Sequence, residues 1–114
     1  MSYVVFNHTA HKAFWNWLSK NPTKGKEEWP GWEENGGSLD CGNSYCFACE
    51  YARRDGRVDC GRCPLMWPKG AYSICEDDIY GDWRSARDRG SYQVASLLAE
   101  EIRDLPVKPR VKCK

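Results

Sequence analysis

Cys46-Phe-Ala-Cys49 and Cys60-Gly-Arg-Cys63, two Cys-x-x-Cys pairs separated by ten residues, form the most informative stretch of the chain. This spacing is typical of a tetrahedral Zn²⁺ site, because each pair can form a tight turn and the spacer can return the second turn to the first. Four thiolates close such a site and leave no open position on the metal. We therefore predict a structural Zn²⁺ ion bound by Cys46, Cys49, Cys60 and Cys63.

Two further cysteines, Cys41 and Cys75, leave the ligand set open. Either could replace one of the four ligands, and six thiolates could hold more than one ion. Cys75 directly precedes a cluster of acidic residues at a predicted helix start, where the helix dipole favours a thiolate ligand. Cys113 lies in a basic tail, and we expect it to be a free thiol.

The composition indicates one small domain with balanced charge. The chain has 114 residues, with 17 basic and 16 acidic side chains, and this balance argues against a protein that coats nucleic acid. The N-terminal sequence lacks the basic and apolar regions of a signal peptide, and no segment has the apolar length of a membrane span. We therefore expect a cytoplasmic protein without a membrane association, in which paired cysteines bind metal rather than form disulfides.

Two helical regions flank the cysteines. Asn7 or Thr9 is a candidate cap for a helix over 10–20, which should end at Asn21-Pro22 because the residue before proline disfavours helical geometry. Apolar residues at helical spacing predict its buried face, with Trp15 off that face: Ala10, Ala13, Phe14, Trp17 and Leu18. A second apolar series predicts one long C-terminal helix, or two if Gly90 breaks it and Ser91 caps the second: Trp83, Ala86, Gly90, Val94, Leu97, Leu98, Ile102 and Leu105.

The middle of the chain predicts a β-hairpin. Asp55-Gly56 is a favourable two-residue turn, because glycine tolerates the positive φ that such turns require. The predicted fold class is therefore α+β: a zinc-stabilised domain over 1–105 with a knuckle-type hairpin, an N-terminal helix and a long C-terminal helix. Residues 106–114 are expected to form a basic, disordered tail.

The remaining motifs favour binding over catalysis. His8 and His11 lack the intervening glutamate of a zincin motif, and no phosphate-binding glycine loop or nucleophile elbow is present, so we expect no enzymatic activity. A loop over 22–40 carries Trp29 and Trp32, which either pack over the metal module or contact a partner. Arginines on the predicted hairpin are candidate phosphate or partner contacts: Arg53, Arg54, Arg57 and Arg62.

The motifs Cys-Phe-Ala-Cys-Glu-Tyr-Ala and Cys-Gly-Arg-Cys-Pro-Leu-Met-Trp, followed by Cys75, Tyr80 and Trp83, resemble a group of small cysteine-rich proteins of tailed bacteriophages. The similarity extends to the ending Ile102-Arg-Asp-Leu-Pro106 and to the helix with Trp15 and Trp17. The resemblance implies a protein that acts in the cytoplasm of an infected bacterium, and it implies no particular activity. Cys41 and the Trp29/Trp32 loop do not match the pattern.

These features predict a non-enzymatic, zinc-binding phage accessory protein that binds and modulates a host macromolecule, with inhibition of a host protein as the leading form. The alternative is a zinc-ribbon protein that binds nucleic acid through the hairpin arginines. A weaker alternative is capture of a signalling nucleotide between tryptophan and arginine side chains.

Overall fold

The computed structural model describes the two ends of the chain and short parts of its middle: residues 5–31, 47, 53–54, 57–58, 63–70, 77–109 and 111–113. Within them the chain forms the helices α1 (His8–Lys20), α2 (Ile79–Asp88) and α3 (Tyr92–Arg103), and a 3₁₀ turn, Lys26–Glu28. It also forms four two-residue strands: β1 (Val5–Phe6), β2 (Arg53–Arg54), β3 (Arg57–Val58) and β4 (Lys112–Cys113).

Helix α1 begins and ends where the sequence predicts. The side chain of Asn7 accepts a hydrogen bond from the backbone N–H of Ala10 at 3.1 Å, and the helix ends at Lys20, before Asn21-Pro22. Its buried face includes the predicted Ala10, Phe14 and Leu18. It differs from the prediction in that Trp15 is only 1% exposed whereas Ala13 is exposed. The Trp15 ring packs edge-on against Trp83 of α2 at 4.9 Å, and burial of so large a side chain rotates the helix toward it.

Gly90 breaks the predicted C-terminal helix into α2 and α3. Its φ of +77° lies in the left-handed region that ends a helix, and Ser91 occupies the N-cap position of α3. Helix α3 packs against both α1 and α2. The alternative of two helices, with Ser91 at the second N-terminus, is therefore confirmed.

The predicted α+β fold class is wrong. The described residues are mostly helical, and their strands of two residues each are too short to bury a sheet face. β2 and β3 do pair antiparallel, with Arg54 opposite Arg57, but the zinc knuckle predicted around them is not shown. Within the described ranges, no group of three His, Cys, Asp or Glu side chains is placed to hold a metal ion. The observed core is instead aromatic side chains enclosed by helices.

The C-terminal segment, predicted to be a disordered tail, is hydrogen-bonded to the rest of the molecule at its described positions. β4 pairs in parallel with β1, with Val5 opposite Lys112 and Phe6 opposite Cys113. Closer to α3, the backbone N–H of Met66 donates to the carbonyl of Pro106 at 2.9 Å. The physical reason is that Val107 and Val111 pack against the core, and pairing with β1 satisfies the backbone polar groups of the segment.

Candidate partner-binding groove

A groove of about 710 Å³ runs between the exposed side of α3 and the first residue of α2. Its lining combines apolar and acidic side chains: Pro68, Ile79, Leu97, Glu100, Glu101, Asp104 and Leu105. Leu97 is 58% exposed, and Val94, one turn earlier on α3, is 46% exposed. The groove thus offers aliphatic side chains and carboxylates to solvent on one continuous surface.

The packing of α3 explains why these side chains face outward. Ala95, Ala99 and Ile102 recur at a spacing of three and four residues, and all three are fully buried. Leu98 packs beside them against the core, whereas Leu97 and Glu101 lie on the other side of the helix and are exposed.

The wall opposite α3 is fixed by the buried Asp78, which caps α2. One of its carboxylate oxygens, Oδ1, accepts from the N–H of Ile79 at 2.7 Å, and Oδ2 accepts from the N–H of Lys69 at 2.8 Å. The ammonium group of Lys69 donates to the Asp77 carbonyl at 2.6 Å. One side chain therefore holds both Pro68, beside Lys69, and Ile79 at the groove.

The groove contains three carboxylates, and one of them, Asp104, is paired within the chain. Arg103 donates to both carboxylate oxygens of Asp104, at 2.9 and 2.8 Å, and this bonding keeps the pKa of Asp104 below its usual value. Arg103 also donates to Asn16 of α1 at 3.0 Å, so the guanidinium is fixed in place. The side chains of Glu100 and Glu101 accept no hydrogen bond and form no ion pair within the described part of the chain.

The two histidines of α1 lie away from this groove, at the contact between α1 and α3. His11 is fully buried, and its Nε2 lies 3.0 Å from the carbonyl oxygen of Ile102, which requires that this nitrogen carry the proton. Burial lowers the pKa of His11 to about 4, although the bond to Ile102 opposes the shift. The ring of His8 stacks on that of His11 at 5.8 Å, so neither is arranged as a zincin motif. His11 is a core residue.

The predicted metal ligands are only partly described. Cys63 is half-buried and packs against the hydrophobic core. Cys46, Cys49 and Cys60, with the reserves Cys41 and Cys75, lie outside the described residues. Phe47, which lies between Cys46 and Cys49 in the sequence, is buried against Phe14 and Trp29 and belongs to the aromatic core.

The predicted partner contacts have different outcomes. Trp29 is 9% exposed and packs on Phe14 at 5.3 Å, so it is part of the core, while its contact with a partner stays a prediction. Trp32 and Arg62 lie outside the described residues. Arg53, Arg54 and Arg57 lie in the β2–β3 ladder, where the backbone register pairs Arg54 with Arg57.

Leu97, Glu100 and Glu101 line the groove, although the sequence motifs predicted none of them as a binding residue. Leu97 was assigned to the buried face because one apolar series was carried through Gly90 without a change of phase. A competing series that starts after the break indicates a different buried face: Ala95, Leu98, Ala99 and Ile102. That series places Leu97 outside the core.

Comparisons with known proteins give no information about the groove. No protein-family model, curated protein or solved structure matches the chain. In the part of the chain that the structure describes, no helix combines the length and apolar character needed to cross a bilayer. The shape and charge of the α2–α3 surface therefore carry the functional interpretation.

Proposed function

We propose that this protein is a non-enzymatic binding protein that docks a host protein in the groove between α2 and α3. The supporting observation is Leu97, a large aliphatic side chain that is 58% exposed beside a concave apolar surface. Single exposed aliphatic side chains are ordinary, but a groove with an apolar floor is the form in which proteins accept a partner's side chains. The resemblance to phage proteins supports an activity in the cytoplasm of an infected bacterium as part of this proposal.

The proposed effect on the host protein is inhibition. A chain of 114 residues that occupies a surface of a larger protein blocks that surface for the protein's normal partners. No chemical step is needed for this effect, since a docked protein excludes competitors by occupancy alone.

The test compares pull-downs with wild-type protein and two variants that introduce the same charge. Leu97→Asp places a carboxylate in the groove, whereas Ser85→Asp places one on an exposed position of α2 outside the groove lining. We expect one discrete host protein to be retained by wild type and Ser85→Asp and lost by Leu97→Asp. Identical retention by all three proteins, or turnover of a substrate by the purified chain, would contradict the proposal. Circular dichroism checks that both variants are folded.

We also propose that Zn²⁺ is bound by Cys46, Cys49, Cys60 and Cys63, with Cys41 and Cys75 as possible substitutes. The support is the spacing of the two pairs and the attachment of Phe47 to the core, through which metal binding would stabilise the helices. Native mass spectrometry should show one bound ion in the wild-type protein and none in the Cys63→Ser variant. A wild-type protein that carries no metal, and stays folded in strong chelator with reduced thiols, would exclude this role.

Nucleic-acid binding is a second candidate, supported by the register of β2 and β3. Arg54 and Arg57 occupy paired backbone positions in this ladder, so the hairpin brings two of the four candidate arginines to the same place along the chain. This candidate predicts that DNA or RNA binds at low salt and is released when Arg53, Arg54, Arg57 and Arg62 are replaced by alanine. If neither DNA nor RNA binds at low salt, this candidate function is excluded.

A further inference from the structure

We infer that the groove accepts a basic amphipathic polypeptide segment, in which a large aliphatic side chain is followed about one helical turn later by lysine or arginine. This inference rests on the proposed function and specifies the chemistry of its partner. It follows from the order in which α3 presents apolar and acidic side chains along the groove.

The apolar and acidic parts of the groove are adjacent on the same helix. Glu101 follows Leu97 by four residues, which places the two side chains one turn apart, about 6 Å along the helix axis. Ile79 and Leu105 add apolar lining beside them. A partner that buries an aliphatic side chain against Leu97 therefore brings its neighbouring turn to the carboxylates of Glu100 and Glu101.

The charge of these carboxylates selects the partner. Asp104 is already bound by Arg103 in a two-point ion pair, so its charge is offset within the chain. Glu101 and Glu100 form no ion pair in the described residues, although the charge of Arg103 acts on Glu100, so lysine or arginine of a partner would pair with Glu101 first. The same carboxylates repel phosphate groups, so this groove disfavours nucleic acid and anionic lipid.

The test uses three fluorescein-labelled helical peptides of about 14 residues, enough for roughly four turns. All three carry leucine along one face, and the other face carries lysine, glutamine or glutamate. Fluorescence anisotropy gives the affinity of each for the full chain at low and at physiological salt. We expect the lysine peptide to bind about tenfold more tightly than the glutamine peptide, with weaker binding as salt screens the charges.

Two double variants isolate the contribution of the groove carboxylates. Glu100→Gln with Glu101→Gln should weaken binding of the lysine peptide roughly fivefold to tenfold and leave the glutamine peptide unchanged. The matched control, Asp82→Asn with Asp88→Asn, removes the same charge from exposed positions of α2 and should change the affinity less than about twofold. Equal losses in both double variants would overturn the inference, because the effect would then be one of net charge.

The Leu97→Asp variant separates the inference from the proposed function. If this variant binds no peptide and the wild type prefers the lysine peptide, both the docking groove and the basic partner are supported. Equal affinity of the glutamine and lysine peptides, still lost in Leu97→Asp, would overturn the basic partner and leave a docking groove. No binding of any peptide, or binding that Leu97→Asp does not change, would overturn both.

Discussion

The two faces of α3 are built from opposite kinds of side chain. The face against α1 and α2 consists largely of Ala95 and Ala99, with Ile102 at its end, while the larger Val94 and Leu97 face solvent. Small residues on the buried face allow neighbouring helices to approach closely, and aromatic side chains from α1 and α2 then supply the core volume. Hydrophobicity alone therefore does not decide which face of α3 is buried; the fit between small and large side chains does.

The largest effect should come from truncating Ile102, the bulky residue of α3 that is fully buried. Ile102→Ala leaves a cavity beside α1 and should lower the free energy of unfolding by about 3 kcal/mol. Leu97→Ala removes a side chain of the same size from the opposite face of the same helix and should change it by less than about 0.5 kcal/mol. Urea unfolding followed by circular dichroism measures both. Similar losses of unfolding free energy in the two variants would contradict the assignment of Ile102 to the buried face and Leu97 to the exposed face.

Enlarging the buried face should also be costly. Ala99→Leu inserts a branched side chain where the helices meet and should destabilise the protein by about 2 kcal/mol through overpacking. Gln93→Leu adds a leucine at an exposed position of α3 and serves as the control, with little expected change. Thermal unfolding of the two variants is sufficient to compare them. An Ala99→Leu variant as stable as wild type would show that the α1–α3 contact has spare volume.

The buried face of α3 should be sensitive to pH through His11, which bonds to the Ile102 carbonyl. The folded-state pKa of about 4 lies below the ordinary value of 6.5, and His8 and Lys12 lower it further in addition to burial. As the pH falls below 6.5, the unfolded chain binds a proton that the folded chain does not bind until about pH 4. Stability should therefore decrease by about 2 kcal/mol between pH 7 and pH 5.

The measurement is the urea midpoint at several pH values for wild type and His11→Gln. Carboxylates elsewhere titrate in both proteins, so the difference between the two curves isolates His11. Parallel curves for the two proteins would be inconsistent with a buried neutral imidazole at the α1–α3 contact.

A smaller effect should come from the glycine that separates the two helices. Gly90→Ala places a Cβ at a φ of +77°, and because no atom lies within 4 Å of that Cβ the cost is conformational only. We expect destabilisation of about 1 kcal/mol. Gly90→Asn should cost less, since asparagine tolerates the left-handed region better. Equal stability of wild type and both variants would show that the helix break does not depend on this residue.

Local signals made several elements of the fold predictable from the sequence. Asn7 and Pro22 bound α1 because capping and proline geometry act within a few residues. Asp78 lies in the acidic cluster that predicted a helix N-terminus, and Gly90 was a candidate break. Each of these features depends on the backbone near one residue, and a single sequence contains that information.

Features that depend on residues distant in the chain were harder to predict from the sequence. Whether Val94 and Leu97 or Ala95 and Ala99 face the core depends on the size of the side chains that α1 and α2 present. Trp15 was left off the buried face for the same reason, since its partner Trp83 lies on another helix. The groove could not be predicted because it requires the relative placement of Pro68, Ile79 and α3.

The parallel pairing of β1 with β4 has a consequence for the order of folding. Val5 and Lys112 come from almost opposite ends of the sequence, so their pairing closes a loop of nearly the whole chain. Closing so long a loop costs chain entropy, and strands of only two residues each offset little of it. Once α1 packs against α3, the two ends of the chain are already close together. This pairing should therefore form last and open first, and hydrogen exchange at the two termini should precede exchange in the three helices.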